Sequence, residues 1–536
     1  MSTDTPPTTS EYEQERRNKL QKLRDLGVDP YGSATPGLQS LATIKALSKP
    51  EFGQDGGPTV KAAGRVVLSR SFGKLTFVTL RDDSGDLQIG LDKKRLSEHD
   101  WAVLQLVDLG DQITVEGPLG TTKKGEITIW ASTLTFSSKS LLPPPGKWDG
   151  LADIEQRYRQ RYVDLWSNPE VMRTMQLRIR IVDEVRQYLR DRGFIEVETP
   201  MLQTVQGGAA ARPFKTHHNA LDIPLVLRIA PELYLKRLLV GGFSKVFEIN
   251  RNFRNEGISP RHNPEFTMLE AYEAYGNFET MADLVEGMIC HIAEKVLGTL
   301  KIEHKNAAGE VTKTINLQRP WRRVRLVDLV EERTGWKFDQ RKLQVVELDI
   351  AAALLDDKVE ALGETIWHHE QGSPTDWIKK QLTATQKTQF RLMFEHNFER
   401  LSAAEQLVEV YEKFIEPTLI DPTFVTHVPS VIIPLARENK ADPFFADVYE
   451  LAINGQEISP GYTELNDPDV QAKHFAHQVG DKDEQQKVDE DFLTALRYGM
   501  PPAGGIGLGI DRLVMMLTGV ESIRDIVLFP LMKPQG

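Results

Sequence analysis

The stretch SKVFEINRNFRNEGISPRHNPEFTMLEAYEAY, residues 244–275, predicts two antiparallel strands joined by a charged loop. Alternate side chains of a strand share one face. On the return strand this rule groups an aromatic ring, a thioether, a carboxylate and a phenol: Phe266, Met268, Glu270 and Tyr272. A carboxylate is costly to bury without a partner, so a plain core strand does not explain this face. The pattern predicts the floor of a pocket that accepts a flat group and a cation. The alternative is an amphipathic hairpin at the protein surface.

The composition is that of a protein with several domains and no overall bias toward nucleic acid. The chain has 536 residues, more than one core usually organises, and 26% of them are charged. The formal net charge is −12, so any nucleic-acid contact must come from local basic patches. Cys290 is the single cysteine, which excludes an intramolecular disulfide framework and favours the cytoplasm. Neither a secretory signal nor an apolar run of about 20 residues is visible, so we expect no membrane association.

Residues 1–57 are predicted to form an N-terminal extension with one basic helix. The helix covers residues 11–26 and ends at Gly27, with Pro30 beyond it, and both are common stop signals. Its basic side chains fit either a phosphate backbone or an ordinary solvated face, and the sequence favours neither.

Residues 58–140 change to short alternating segments separated by turns. About five strands in so short a span predict a small five-stranded barrel of the oligonucleotide-binding type, the OB-fold. Such barrels stack bases on exposed aromatic rings. From spacing alone, Phe77 is more often a core residue than such a platform. The proline-rich start of residues 141–150 predicts a linker.

Residues 151–536 are predicted to form a larger α+β domain with a helical insertion at about 340–418. A helix over residues 171–192 leads into the strand FIEVETP. The adjacent His368 and His369 are expected to be a surface pair, because no further ligands occur at zinc spacing.

Two segments around residue 220 have features suited to a ligand. GGAAARPF, residues 207–214, is a glycine turn that would let a ligand approach the backbone. APELYLKRLLVGG, residues 230–242, reads as a helix with Glu232 near its start. A simple tight turn and an acidic helix start stabilised by the helix dipole are the alternatives.

Two later segments point to phosphate chemistry. Asn454-Gly455 predicts a hairpin, followed by Glu457 and Glu464. Two neighbouring carboxylates suit Mg²⁺, although acidic residues around a turn are the commoner explanation. GGIGLGIDRLVMMLTG, residues 504–519, predicts a glycine-rich strand entering a helix, with Arg512 in the first turn. It is neither a Rossmann fingerprint nor a P-loop, and an arginine at a helix start suits a nucleoside triphosphate.

These motifs resemble those of the class II aminoacyl-tRNA synthetases. FRNEG…RHNPEFT resembles motif 2, the helix before FIEVETP resembles motif 1, and residues 504–519 resemble motif 3. Within this class, HNPEFTMLEAYEAY and GYTELND resemble the lysine-specific family. The resemblance implies an α+β catalytic domain, an antiparallel sheet flanked by helices, behind an N-terminal OB-fold that reads the anticodon. It also implies a homodimer formed through motif 1.

The activity implied by the resemblance is that of an ATP-dependent ligase. Lysine and ATP would form lysyl-adenylate with Mg²⁺ as cofactor, and the lysyl group would pass to the 3′ end of tRNA(Lys). An aspartyl- or asparaginyl-type synthetase remains an alternative. A protein-lysylating paralogue would share the catalytic core but lack the barrel. A non-enzymatic RNA-binding relative would have lost Arg254, Arg512 or the motif glutamates, and all of them are present.

The resemblance also assigns site residues. Those implied for ATP are Arg254, Glu256, His262, Asn263, Phe266, Gly509 and Arg512, with Arg254 and Arg512 as catalytic residues. Those implied for lysine are Gly208, Glu232, Arg254, Glu270, Tyr272, Tyr462 and Glu464. Those implied for Mg²⁺ are Glu457 and Glu464. Those implied for the anticodon are Arg70, Phe77 and Gln88.

One position departs from the bacterial pattern of the family. Pro460 stands two residues before the aromatic Tyr462, where that pattern has asparagine. Proline has neither an amide side chain nor an N–H donor. A contact from this position to the lysine carboxylate is therefore expected to be lost or replaced.

Overall fold

The computed structural model describes residues 11–144, 151–334, 336–342, 400–478 and 488–534. The chain divides into two compact units: Met1–Met175 with Leu528–Gly536, and Gln176–Val527. Most of the predicted helical insertion at about 340–418, with the histidine pair at 368 and 369, lies outside the described residues.

The first unit contains a sheet that closes on itself. Its strands are β1 (Thr59–Phe72), β2 (Leu75–Asp82), β3 (Gly85–Asp92), β4 (Gln112–Thr121), β5 (Ile127–Trp130) and β6 (Thr133–Ser138). Five strands form a ring in the order β1-β2-β3-β5-β4, because β4 pairs back onto β1, and β6 pairs with β4. The last of the five predicted strands is divided into β5 and β6. Between them, the Ala131 N–H donates to the Gly90 carbonyl oxygen of β3, and the Ser132 N–H donates to the Glu116 carbonyl oxygen of β4. The predicted OB-fold topology is confirmed.

The helices of this unit include the predicted N-terminal one. They are α1 (Glu11–Asp25), α2 (Leu41–Ala46), α3 (Glu98–Leu104), α4 (Ile154–Arg159) and α5 (Arg161–Ser167), with a 3-10 turn at Pro50–Phe52. Arg16 is buried and donates to the carbonyl oxygens of Ser140 and Leu109 at 2.8 and 2.9 Å. Lys19 pairs with Asp108 at 2.6 Å. These two basic residues of α1 therefore contact the rest of the unit instead of forming a solvated face.

The second unit is built on an eight-stranded sheet in the order β15-β16-β17-β18-β19-β12-β11-β7. The strands of the unit are β7 (Ile195–Glu196), β8 (Leu202–Gln203), β9 (Lys215–His218), β10 (Ile223–Leu227), β11 (Lys245–Phe253), β12 (Glu265–Ala274), β13 (Lys301–Lys305), β14 (Val311–Asn316), β15 (Arg322–Arg325), β16 (Thr423–Thr426), β17 (Val448–Ile453), β18 (Gln456–Thr463) and β19 (Ala503–Gly509). Neighbours are antiparallel except at the two edges, where β11–β7 and β15–β16 are parallel. Strands β8, β10 and β9 form a separate small sheet, and β13 pairs with β14.

The helices of the second unit flank this sheet, as the class II resemblance implied. They are α6 (Pro169–Arg190), which begins in the first unit, α7 (Glu232–Val240), α8 (Phe278–Ile292), α9 (Leu326–Thr334), α10 (Ala403–Val410), α11 (Pro468–Gln478), α12 (Glu490–Arg497), α13 (Ile510–Thr518) and α14 (Ile523–Ile526). Single turns of π-helix occupy Ala293–Leu297 and Tyr411–Ile415, and Glu416–Thr418 is a 3-10 turn.

Strand alternation gives the sheet one face that packs against the main core. Phe247, Leu269 and Ala271 point to the side where α6, α8 and α13 form the main core. Val246 and Tyr272 point to the opposite side, toward α7 and α12. The predicted hairpin is confirmed, with Glu248 opposite Glu270 in the register of β11 and β12. The mixed face of β12 therefore lies on the side away from the main core.

Candidate active site

A cavity of about 230 Å³ lies at the end of β12 nearest the β11–β12 loop, between this loop, β18 and the start of α13. All seven residues that were predicted to bind ATP line this cavity: Arg254, Glu256, His262, Asn263, Phe266, Gly509 and Arg512. The structure thus brings together residues from both sequence motifs. Their individual contacts with ATP stay predictions.

Arg254, Arg261 and Arg512 provide the positive charge of this cavity. The Arg254 guanidinium lies 5.1 Å from the centre of the Phe266 ring, and its buried Nε has no hydrogen-bond partner among the described residues. Arg512 Nη1 donates to the carbonyl oxygen of Glu457 at 2.8 Å. An arginine with a buried and unused donor is suited to a phosphate or carboxylate oxygen.

Asp511 was missed by the sequence reasoning and fixes the position of Arg512. Its Oδ2 accepts from the backbone N–H of Thr267 at 2.8 Å, and its Oδ1 accepts from Arg178 Nη1 at 2.5 Å. These bonds tie the start of α13 to β12 and α6. The sequence signal that could have identified Asp511 is its position in the first turn of a helix, directly before Arg512.

His262 and Asn263 present neutral groups to the cavity. Burial lowers the pKa of His262, and the nearby positive charge of Arg512 lowers it further, so the imidazole is neutral at pH 7. Asn263 Nδ2 donates to the Glu265 carbonyl oxygen at 2.6 Å, and its buried Oδ1 has no partner among the described residues. A free amide acceptor and a neutral ring suit the polar edge of a base better than a phosphate.

The predicted lysine residues lie farther along β12, around a set of buried carboxylates. Tyr272 donates its hydroxyl to Glu270 Oε2 at 3.0 Å. Lys236, which the sequence reasoning did not single out, donates to Glu232 Oε1 at 2.7 Å and lies 2.5 Å from Glu464 Oε2. The second contact is an ion pair. Each of these five residues is 6% exposed or less.

Glycines make room for the side chains of the predicted lysine site. A Cβ on Gly505 would lie 2.0 Å from Glu464 Oε1, and one on Gly208 would lie 3.1 Å from the Glu232 Cβ. Gly208 also has φ +84°, which favours glycine. A Cβ on Gly507 would touch Met268 and Pro460, two residues that line the cavity holding the arginines. Pro460 therefore places an apolar ring, not an amide, beside that cavity.

Burial shifts the titration of these acids. Desolvation, followed by the nearby Glu232 carboxylate, raises the pKa of Glu270 to about 8. Desolvation also raises the pKa of Glu464 to about 7, against the opposing effect of Lys236. Burial raises the pKa of Tyr272 well above its usual value, so the phenol stays a donor. Glu270 is thus protonated at pH 7 until a cation arrives beside it.

The predicted Mg²⁺ ligands Glu457 and Glu464 stay a prediction. Glu457 lies on β18, and Glu464 follows the end of that strand. Glu457 lines the cavity with the arginines, whereas Glu464 pairs with Lys236.

Glu450 and Glu416 are the acids that approach Glu457, and both were missed. Glu416 Oε1 accepts from the Glu457 backbone N–H at 2.6 Å. Desolvation raises the pKa of Glu450 well above its usual value, and the Glu457 carboxylate is the next cause. Among the described residues, no group of three or more His, Cys, Asp or Glu side chains could hold a metal ion. Glu457 lines the cavity and Glu450 lies near Glu457, and such a pair of carboxylates fits Mg²⁺, which keeps waters and takes phosphate oxygens as its remaining ligands.

The three predicted anticodon residues share one face of the five-stranded ring. Arg70 lies opposite Phe77 in the register of β1 and β2, and Gln88 Nε2 donates to Thr128 Oγ1 at 2.9 Å. Phe77 is half-buried, with edge-on contacts to Phe72 and Trp130 at 6.3 and 5.8 Å between ring centres. Phe77 is therefore neither fully buried nor fully exposed, and its role as a base platform stays a prediction.

Comparison with known proteins gives the class. Residues 153–533 match the family described as tRNA synthetases class II (D, K and N), and residues 60–136 match the OB-fold nucleic acid binding domain. The chain belongs to the class II tRNA synthetase family. Its relatives include the lysine–tRNA ligase of Carboxydothermus hydrogenoformans, 46% identical over 97% of both chains. The lysine–tRNA ligases of Syntrophomonas wolfei and Staphylococcus aureus strain MW2 are 43% and 44% identical, over 98% and 97% of both chains. None of the described helices is long and apolar enough to cross a membrane.

The raised pKa of Glu270 predicts a pH-dependent affinity for lysine. Below pH 8 the free carboxyl is protonated, and binding an ammonium group requires its proton to leave. The dissociation constant for lysine should therefore fall by up to about tenfold per pH unit as the pH rises from 6 to 8, then level off. Calorimetry in buffers of different ionisation enthalpy should show proton release at pH 7. Glu270→Gln should bind weakly and flatten this profile, and a profile unchanged in that variant would contradict the assignment.

Gly505→Ala should close the amino-acid pocket without affecting the ATP cavity. The added methyl group would lie 2.0 Å from Glu464 Oε1 and 2.6 Å from a Tyr272 ring carbon. Overpacking of this kind costs about 1–3 kcal/mol, so lysine affinity should fall by about tenfold or more. ATP affinity, measured by the same titration, should stay within about twofold. Equal losses for both ligands would show that the methyl group disturbs the whole sheet.

Proposed function

We propose that this chain is a lysine–tRNA ligase that uses ATP and Mg²⁺ to attach L-lysine to tRNA(Lys) in the cytoplasm. The observation that carries the proposal is one sheet face with two adjoining sites of different charge. Three arginines, Arg254, Arg261 and Arg512, line one site together with acidic residues, whereas the other contains the buried carboxylates of Glu232, Glu270 and Glu464. An amino acid with two ammonium groups and a triphosphate match these sites.

The adenylation step follows from this arrangement. Glu270 and Tyr272 receive the ε-ammonium group, while Gly208 and Glu232 receive the α-amino group. Arg254, with its free Nε, stands where the lysine carboxylate meets the α-phosphate of ATP. The carboxylate oxygen attacks the α-phosphorus, a P–O bond to the β-phosphate breaks, and pyrophosphate leaves. Positioning and charge stabilisation provide the acceleration, as in other phosphoryl-centre reactions.

The nucleotide is held by the residues of the arginine cavity. Phe266 stacks against adenine, Asn263 and His262 contact its polar edge, and Arg512 reaches the phosphates. Bound Mg²⁺ would neutralise phosphate charge, with Glu457 and Glu450 as its protein ligands. In the second step a ribose hydroxyl of the terminal adenosine attacks the lysyl carbonyl carbon, and AMP leaves.

The alternatives fit the observations less well. An aspartyl-type pocket would have to accept a negative side chain beside three glutamates, and an asparaginyl-type pocket would leave these charges without partners. A protein-lysylating paralogue would lack the anticodon-reading unit, which this chain has.

The domain organisation and assembly complete the proposal. Residues 58–140 form the anticodon-binding domain and residues 151–536 the catalytic domain, which the matches at 60–136 and 153–533 support. A homodimer would use α6 and β7, where Ile179 and Ile195 are 57% and 52% exposed. Exposed β-branched residues on neighbouring elements favour contact with a second copy.

Amino-acid-dependent exchange of pyrophosphate into ATP tests the function directly. The full chain, with Mg²⁺ and each of the twenty amino acids in turn, should exchange with lysine alone. Exchange with aspartate or asparagine would move the assignment to another member of the class. No exchange with any amino acid would reject the proposal.

Glu450→Gln should raise the Mg²⁺ concentration needed for half-maximal exchange by about tenfold, since one charged ligand is lost. Glu464→Gln is the matched comparison, because it removes a carboxylate from the same hairpin. It should weaken lysine binding and leave the Mg²⁺ requirement unchanged. The reverse pattern would identify Glu464, and not Glu450, as the second metal ligand beside Glu457.

A further inference from the structure

The side chain of Lys236 is buried at the centre of the amino-acid pocket. Its exposed fraction is 0%, and its three polar contacts come from different parts of the chain. It donates to Glu232 Oε1 at 2.7 Å and to the Leu435 carbonyl oxygen at 3.2 Å, and lies 2.5 Å from Glu464 Oε2. Glu232 stands on α7 one turn before Lys236, whereas Glu464 follows the end of β18.

A purely structural role does not account for this arrangement well. An ammonium group buried without water loses several kcal/mol of hydration, and an apolar side chain of similar volume often stabilises a fold equally well. A helix-stabilising ion pair would need only Glu232 at the i, i+4 position. The contact with Glu464 adds a link between α7 and the central sheet that helix formation does not require.

Each carboxylate that contacts Lys236 keeps one oxygen for the pocket. Glu464 Oε1 is buried and has no hydrogen-bond partner among the described residues, and it faces the bare backbone of Gly505. Glu232 Oε2 lies 3.7 Å from the point that a Cβ on Gly208 would occupy. Lys236 therefore contacts one oxygen of each acid, and the missing Cβ atoms of Gly505 and Gly208 make room for the two acidic side chains themselves.

We propose that Lys236 is a positioning residue that fixes the distance between Glu232 and Glu464 and thereby the length of the amino acid that the pocket accepts. The inference rests on the proposed function, in which Glu232 receives the α-amino group of lysine and Glu270 receives the ε-ammonium group. A single ammonium group contacting one oxygen of Glu232 and one of Glu464 keeps those two oxygens within about 5 Å of each other, the sum of the two contact lengths. The Glu464 N–H donates to the Ala503 carbonyl oxygen of β19, which pairs with β12, so Lys236 also holds Glu232 at a fixed distance from Glu270. A substrate chain one methylene shorter or longer then cannot satisfy both ends at once.

The same residue sets the charge of the pocket. Glu232, Glu270 and Glu464 carry three negative charges when ionised, and Lys236 supplies one positive charge among them. The remaining two charges equal those of the two ammonium groups of lysine. A neutral residue at position 236 would leave the pocket with one negative charge too many, and an acid would take up a proton or turn away.

The experiment measures kcat/KM in pyrophosphate exchange for lysine, ornithine and homolysine. Lys236→Met keeps the volume and removes the charge, and Lys236→Arg keeps the charge but changes the distance to the two acids. Both variants should lower the preference for lysine over ornithine by about tenfold or more. The KM for ATP should stay within about twofold. Lys245→Met, which removes a partly exposed ion pair with Glu273 on β11, should change neither value.

The outcomes separate the alternatives. An unchanged lysine-to-ornithine ratio in both variants would overturn the proposal, as would a parallel rise in KM for lysine and ATP. If Lys236→Met does not fold, the ratio in Lys236→Arg decides alone. Wild-type exchange with lysine is measured in the same assay, so failure of the proposed function would be seen separately from failure of this inference.

Discussion

The second unit depends on keeping three carboxylates away from water on one face of its sheet. Glu232, Glu270 and Glu464 are nearly inaccessible to solvent, and their burial is tolerated because each has a specific partner. Tyr272 donates to Glu270, and Lys236 contacts the other two. Unpaired charges of this kind would cost several kcal/mol each, so the arrangement of α7 and β18 follows from the need to pair them.

The opposite face of the same sheet explains how such a site is held rigid. Alternation along β11 and β12 sends Phe247 and Leu269 into the core beneath, where α6, α8 and α13 cover them. The strands that carry the acids are therefore anchored by apolar packing on their other side. Arg254 and Arg512 stand at one end of this platform and the acids farther along, so a single sheet keeps the two charge types apart.

Strand periodicity and glycine placement predicted much of this from the sequence. Alternation in residues 266–272 identified the pocket face, because a strand fixes side-chain direction without reference to the rest of the fold. The turn at Asn454-Gly455 was also correct, since its signal is local. The predicted metal ligands Glu457 and Glu464 stay a prediction. Glu450 and Glu416, which approach Glu457, were missed because one lies across a hairpin and the other comes from a distant part of the chain. Lys236 was missed for the same reason: one of its partners is distant in sequence, and only the folded chain shows the contact.

The bridge through Lys236 has an evolutionary consequence. A pocket whose charges are paired in a closed set resists stepwise change, because replacing any one member leaves another buried without a partner. A descendant that accepted a neutral amino acid would need coordinated replacements on α7, β12 and β18, and its intermediates would fold poorly. The buried ion pairs thus make single substitutions in the pocket costly. The specificity of this enzyme for its amino acid is therefore hard to change one substitution at a time.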